Sequence, residues 1–185
     1  MKATAALLAL LASAAPVRAD PQANAEAERC ASTVGETSIA ACRRALELGL
    51  PPGRSAHVEQ VLSARLGGLG RWEEAAEVHR RAIARRPAEA EPHRRLGAVL
   101  LHGLGRPRDA EPELREALRL GSAEARTPGD LGLALLAQDR YAEAVAAFEA
   151  ARAIDPKYLD RRPGSRAAYD AARAGKPWPA PSPKS

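Results

Sequence analysis

A chain of 185 residues is within the size of one domain and long enough for a modest core. Its 28 basic and 23 acidic residues leave only a mild positive excess, and acidic residues interleave with the arginines throughout. With aromatics at 3% there is no platform for stacking bases, so charge and composition argue against nucleic acid as a partner and for solvated helical faces.

The N-terminus carries Lys2, an apolar run from Ala3 to Ala15, and then Pro16-Val17-Arg18-Ala19 before Asp20. Small or aliphatic side chains stand at the two positions that signal peptidases read, so residues 1–19 are expected to be a cleaved secretory signal. The run falls short of the roughly 20 apolar residues a spanning helix needs, and no later segment reaches that length. A lipoprotein anchor would need a Cys directly after the run, whereas the first is Cys30. The expected product is periplasmic or secreted, with no membrane span.

Residues 20–50 read as a degenerate helical hairpin, with Ile39, Cys42, Ala45 and Leu46 on one face of its second helix. In an oxidising compartment Cys30 and Cys42 would face each other across this hairpin, and closing so short a loop contributes roughly 3 kcal/mol if unstrained. A structural disulfide is favoured over free thiols or a redox pair, since the C-x-x-C spacing is absent. A zinc site would need twice the ligands, and no His is near in sequence. Pro51-Pro52-Gly53 separates the hairpin from the next helical segment.

Residues 56–156 hold three copies of one pattern, at 56–89, 90–124 and 125–156. The third is clearest: Leu131-Gly132, Leu135, Tyr141, Ala144, Phe148, Ala151 and Pro156. The first aligns as Leu62-Ser63, Leu66, Trp72, Ala75, His79, Ala82 and Pro87, with His79 where the third copy has Phe148. The middle copy reads Leu96-Gly97, Leu100, Ala110, Leu114, Ala117 and Leu118, with one extra residue assigned to the turn around Gly103-Leu104-Gly105. Each choice has a packing reason. Small residues let paired helices approach, the Leu pairs at i and i+4 form one buried stripe per helix, and Pro87 and Pro156 stop second helices. Pro112 conflicts with the middle copy's second helix unless Asp109 caps a late or bent start, which is the expectation. Residues 157–175, with Tyr158, Leu159, Ala168 and Tyr169, predict a C-terminal capping helix, and 176–185 a Pro-rich disordered tail.

The L-G-x-x-Y…A-x-x-x-F…P order resembles the tetratricopeptide repeat family, in an exported bacterial form. The resemblance implies an all-α solenoid of antiparallel helical hairpins, wound as a right-handed superhelix and closed by the capping helix. It also implies a concave groove lined by the first helix of each hairpin, where such proteins commonly dock a protein or peptide segment. Projection of those helices puts His57, Gln60, Arg94, Leu101, His102, Arg126, Leu133 and Leu136 at the groove, with Ala64, Glu91 and Ala98 beside them. Arg94 has two readings, a solvated charge or a carboxylate contact, and the three leucines are either an apolar patch or contacts to the next helix.

Chemistry is not signalled. The four histidines form no i, i+4 pair, no H-E-x-x-H occurs, and the glycine-rich stretches lie between helices and lack the strand a phosphate loop needs. No G-x-S-x-G elbow is present. No catalytic residue, metal or cofactor is therefore assigned. The reading is a non-catalytic interaction scaffold for a segment of another envelope protein. The alternative is a structural subunit that oligomerises through its outer surfaces.

Overall fold

The computed structural model describes residues 20–178, so the expected signal at 1–19 and the end of the tail, 179–185, lie outside the described residues. Asp20 starts the first helix: its side chain accepts from the Gln22 backbone N–H at 2.8 Å, and Pro21 takes the first helical position. The helices are α1 (Pro21–Ser32), α2 (Gly35–Leu48), α3 (Pro52–Gly68), α4 (Trp72–Arg85), α5 (Ala90–Ala98), α6 (Pro107–Arg119), α7 (Arg126–Leu136), α8 (Tyr141–Ile154) and α9 (Pro163–Arg173). Consecutive helices pack as hairpins, α1 with α2, α3 with α4, α5 with α6 and α7 with α8, and each hairpin packs on the next through α2/α3, α4/α5 and α6/α7. The architecture is an all-α solenoid, with no strand among the described residues. None of its described helices is long and apolar enough to cross a membrane.

Small side chains set the crossings. A Cβ on Gly97 would lie 2.6 Å from Leu114, and one on Gly132 would lie 3.0 Å from Phe148, so each glycine makes room for the large side chain of its partner helix. Leu62 and Leu66, Leu96 and Leu100, and Leu131 and Leu135 are all buried. The core divides into an N-terminal cluster around Ile39, Val58, Leu62 and Leu66 and a larger one around Leu100, Leu114, Leu135 and Phe148. Val99 packs against both. Cys30 and Cys42 are fully buried and form a disulfide-capable pair, with Cα atoms 4.7 Å apart. At the other end α9 covers the last hairpin: Tyr169 meets Phe148 edge-on at 6.1 Å between ring centres, and its hydroxyl donates to Glu149.

Four sequence expectations are corrected. First, Pro52 and Gly53 belong to α3 rather than to a separator, because proline at the first helical position loses no bond the helix would make, and Ser55 N–H already reaches the Pro51 carbonyl at 2.9 Å. Second, α6 starts at Pro107 and holds Pro112 in its interior, with no late start at Asp109. Pro112 and Arg108 are both exposed, so the lost bond lies on the solvent side of the helix, where an unpaired carbonyl costs least. Third, the extra residue of the middle repeat is absorbed by a π turn, Val99–Gly103, that continues α5, shown by the Leu104 N–H reaching back five residues to the Val99 carbonyl. The turns themselves then keep one register, with Gly70, Gly105 and Asp139 all at positive φ. Fourth, the tail does not leave the surface at residue 176, because Trp178 packs against the larger core cluster.

Charge pairs tie successive second helices together. Arg71, just before α4, chelates Glu74 and reaches Glu36 on α2. Arg106, just before α6, reaches Glu73 on α4. Arg140, just before α8, chelates Glu143 and reaches Glu111 on α6. The Arg71 hydrogen bonds hold the Glu74 carboxyl down at about 2.

Candidate functional site

Along the first helices lies an open groove of about 530 Å³, lined by Gln60, Ser63, Ala64, Gly67 and Gly68 of α3, Trp72 and His79 of α4, Arg94, Arg95 and Ala98 of α5, Val99, His102 and Gly103 of the π turn, and Arg126 of α7. Its floor is cut back by small residues. Trp72 packs between Gly67 and Gly103, where an added Cβ would come within 2.5 Å of the ring on either side. Ala64 and Gly68 on α3 and Ala98 on α5 leave a trough that a main chain can approach closely.

Its arginines are each paired with a nearby carboxylate. Arg94 is 7% exposed and donates from Nε and Nη2 to Glu91 at 2.7 and 2.6 Å, while Arg95 Nε lies 2.6 Å from that same carboxylate. Burial pushes the Glu91 carboxyl up, yet Arg94 and Arg95 outweigh it and hold the group below its ordinary value. Glu124 stands 3.5 Å from Arg94 but is largely exposed. One turn further, His102 Nε2 and Arg126 Nε share the buried carboxylate of Asp130, at 2.9 and 3.3 Å. A second depression of about 500 Å³ lies between α2 and α4, and its rim charges are likewise spent in pairs, Arg43 with Glu74, Arg81 with Glu77 and Arg85 with Glu59.

Of the residues the sequence puts at the groove, Gln60, Arg94, His102 and Arg126 line it, with Ala64 and Ala98. His57 is exposed on the first turn of α3 and is not among the lining residues. Leu101 and Leu136 are fully buried, and Leu133 is half-buried against the core, so none of the three forms a groove patch. Leu101 sits in the π turn, where the added residue turns later side chains away from their regular-helix positions. Leu136 turns inward because α7 is packed on by α6, α8 and α9 at once. Arg94 is neither of its two sequence readings in full, being buried and already paired.

The sequence did not place Ser63, Trp72, His79 and Arg95 at the groove. Ser63 and His79 occupy the positions that Gly97 and Leu114 hold in the middle repeat and Gly132 and Phe148 in the third, and they meet as a buried hydrogen-bonded pair, Nε2 to Oγ 2.9 Å. Burial is the main reason the His79 imidazole is held neutral, with its pKa lowered to about 4, and Arg95 and Arg94 add to the shift. Two departures from the repeat at one crossing were the available signal.

The family model for the tetratricopeptide repeat matches residues 129–158. That segment is a tetratricopeptide repeat. Solved structures of the same fold include YrrB, described as a TPR protein with an unusual peptide-binding site, at 22% identity over 75% of this chain and 68% of that one, with a TM-score of 0.59. MamA from Desulfovibrio magneticus RS-1, from residue 41 to the end, gives 20% identity over 85% and 93% and a TM-score of 0.66. An O-GlcNAc transferase from Thermobaculum terrenum gives 27% and 0.51, this chain spanning 26% of that one. No match is found among curated proteins.

Proposed function

We propose that this tetratricopeptide-repeat solenoid is a non-catalytic interaction scaffold that docks an extended segment of another protein in the groove between Gln60 and Arg126. The observation that carries the reading is the groove itself: a trough lined by the small residues Ala64, Gly68 and Ala98, open along several first helices and edged by arginines. Such a floor admits a main chain at close range, and repeat solenoids use their concave face in this way. YrrB, which this chain resembles in fold, is itself described by a peptide-binding site, which is consistent with this use of the surface.

The N-terminal sequence adds the place. With residues 1–19 removed as a signal, the chain acts in the envelope or outside the cell, the partner is an envelope protein, and Cys30 and Cys42 are oxidised to a disulfide by that compartment.

The test is capture from envelope extract with immobilised wild-type protein and two variants. Ala98→Trp fills the trough from α5, and Arg119→Glu alters an exposed site on α6 outside the groove. A partner held by the wild type and by Arg119→Glu but lost with Ala98→Trp supports the groove. A partner that ignores Ala98→Trp and is lost with Arg119→Glu overturns it in favour of the outer surface.

A further inference from the structure

The two apolar clusters of the core meet along α4. Its Ala75 and Val78 pack with Ile39, Val58, Leu62 and Leu66, while its Ala76 and Ile83 pack with the cluster around Leu100, Leu114 and Leu135. Ahead of this line α1 to α3 share the first cluster, and beyond it α5 to α9 share the second. From the far side Val99 of the π turn reaches the first cluster. Ala76, Ile83 and Val99 are modest side chains beside the Ile39, Val58 and Leu62 that α2 and α3 bury together, or the Leu114, Leu131 and Leu135 that α6 and α7 bury together. The hairpins on either side of the α4/α5 joint also pack less closely than those at the neighbouring joints.

Polar groups occupy much of this joint. Arg94 and Arg95 of α5 act on the charge of His79 on α4, and Arg94 is buried and bound to Glu91. Apolar burial stabilises a joint in proportion to the area removed from water, whereas buried polar pairs add little net. One edge of the joint is held by Trp72 of α4, whose ring lies between Gly67 of α3 and Gly103 of the π turn, an added Cβ on either coming within 2.5 Å of it. The Arg106 to Glu73 pair at that edge is exposed and adds little. At the other edge Glu59 and Ser55 anchor Arg86 in the first half, at 2.5 and 2.8 Å, so the chain crosses between the halves at residues 87–89, just before α5.

We propose that the α4/α5 joint is a hinge: α1–α4 and α5–α9 are two cooperative bodies, connected through residues 87–89 and latched at the opposite edge by Trp72 in its glycine slot. Each body has its own apolar cluster, so each holds its fold when the latch opens. The groove has walls on both, Gln60 and Ala64 on one, Ala98 and Arg126 on the other, so the latch sets the groove's width. The hinge is a property of the free chain, independent of what the groove docks.

Two measurements on the full chain test it. In Trp178→Phe the remaining tryptophan is Trp72, and its emission is followed through a urea titration beside the helical signal. The emission is expected to change at lower urea than the main loss of helical signal, because the latch opens before either body unfolds. The second measurement is hydrogen exchange on Leu66→Ala and on Leu135→Ala, each of which weakens one cluster. Leu66→Ala is expected to lower protection in α2 and α3 by about tenfold or more and in α7 and α8 by less than about twofold, and Leu135→Ala to do the reverse. Coincident urea transitions by the two probes, or a loss of protection spread evenly over both bodies, overturns the hinge. If either core variant does not fold, the urea titration decides alone.

Discussion

His79 shows what one substitution in a repeat costs. It is buried and neutral, with its pKa lowered to about 4, chiefly by burial. The unfolded chain has an ordinary imidazole that takes up a proton near pH 6.5, whereas the folded chain resists protonation until about 4. The unfolded state therefore binds more protons across that window, so stability is highest above pH 6.5 and falls as pH drops toward 4. The total is on the order of 3 kcal/mol. Denaturant unfolding at pH 7 and pH 5 measures this, with His79→Phe as the reference whose pH slope is shallower. Equal slopes would contradict the assignment. Asp139 is the other informative single residue. It holds the turn between α7 and α8 at φ 60°, where the equivalent turn positions are Gly70 and Gly105. Its side chain recovers part of the backbone cost by accepting from the Tyr141 hydroxyl at 2.8 Å. Asp139→Gly relieves the strain and forfeits that bond, so a net stabilisation of at most about 1 kcal/mol is expected in a thermal melt.

At the scale of elements, α1 depends on its partner more than any other helix. The side chains it buries are Ala23, Ala27 and Cys30, too little apolar surface to offset the ordering of twelve residues. The proposed disulfide to Cys42 would make up the difference, and its loss would remove about 3 kcal/mol. Hydrogen exchange on Cys30→Ser/Cys42→Ser is expected to show α1 and the start of α2 unprotected while α5 to α9 stay protected. Pro112 acts in the opposite sense, and Pro112→Ala, which returns a donor to the Arg108 carbonyl, should stabilise the chain by roughly 1–3 kcal/mol. The helical hairpins, their buried leucine stripes and the capping helix were legible in the sequence because small-residue crossings and i, i+4 spacing leave a local signature. The π turn was not, since an inserted residue looks the same in sequence whether a loop or a helix absorbs it. The same ambiguity misdirected Leu101, while Leu136 was misread because sequence does not show how many helices surround α7. Half of the predicted groove residues line the groove, and the polar pair at its first-repeat end was read as packing because a repeat pattern records positions and not the partners that meet there.

The whole molecule is a series of hairpins joined by two kinds of contact. Apolar packing passes from one core cluster to the other through Val99, and arginines at the starts of α4, α6 and α8 reach back to the preceding second helix. The arginine contacts are on the outer side and mostly exposed, so each adds little alone. Their common placement fixes how each hairpin sits on the last. The inner side is left with the trough, where Arg94 and Arg95 meet at Glu91 and His102 and Arg126 meet at Asp130. A scaffold of this kind works only if its partner lies along the first helices. Site-specific photo-crosslinking decides the point, with a photoreactive side chain placed in turn at Ala64, at Ala98 and, on α6, at Arg119, in protein exposed to envelope extract. One crosslinked partner is expected from Ala64 and Ala98 and none from Arg119. Crosslinking from Arg119 alone, or a product that is a second copy of this chain, would contradict groove docking.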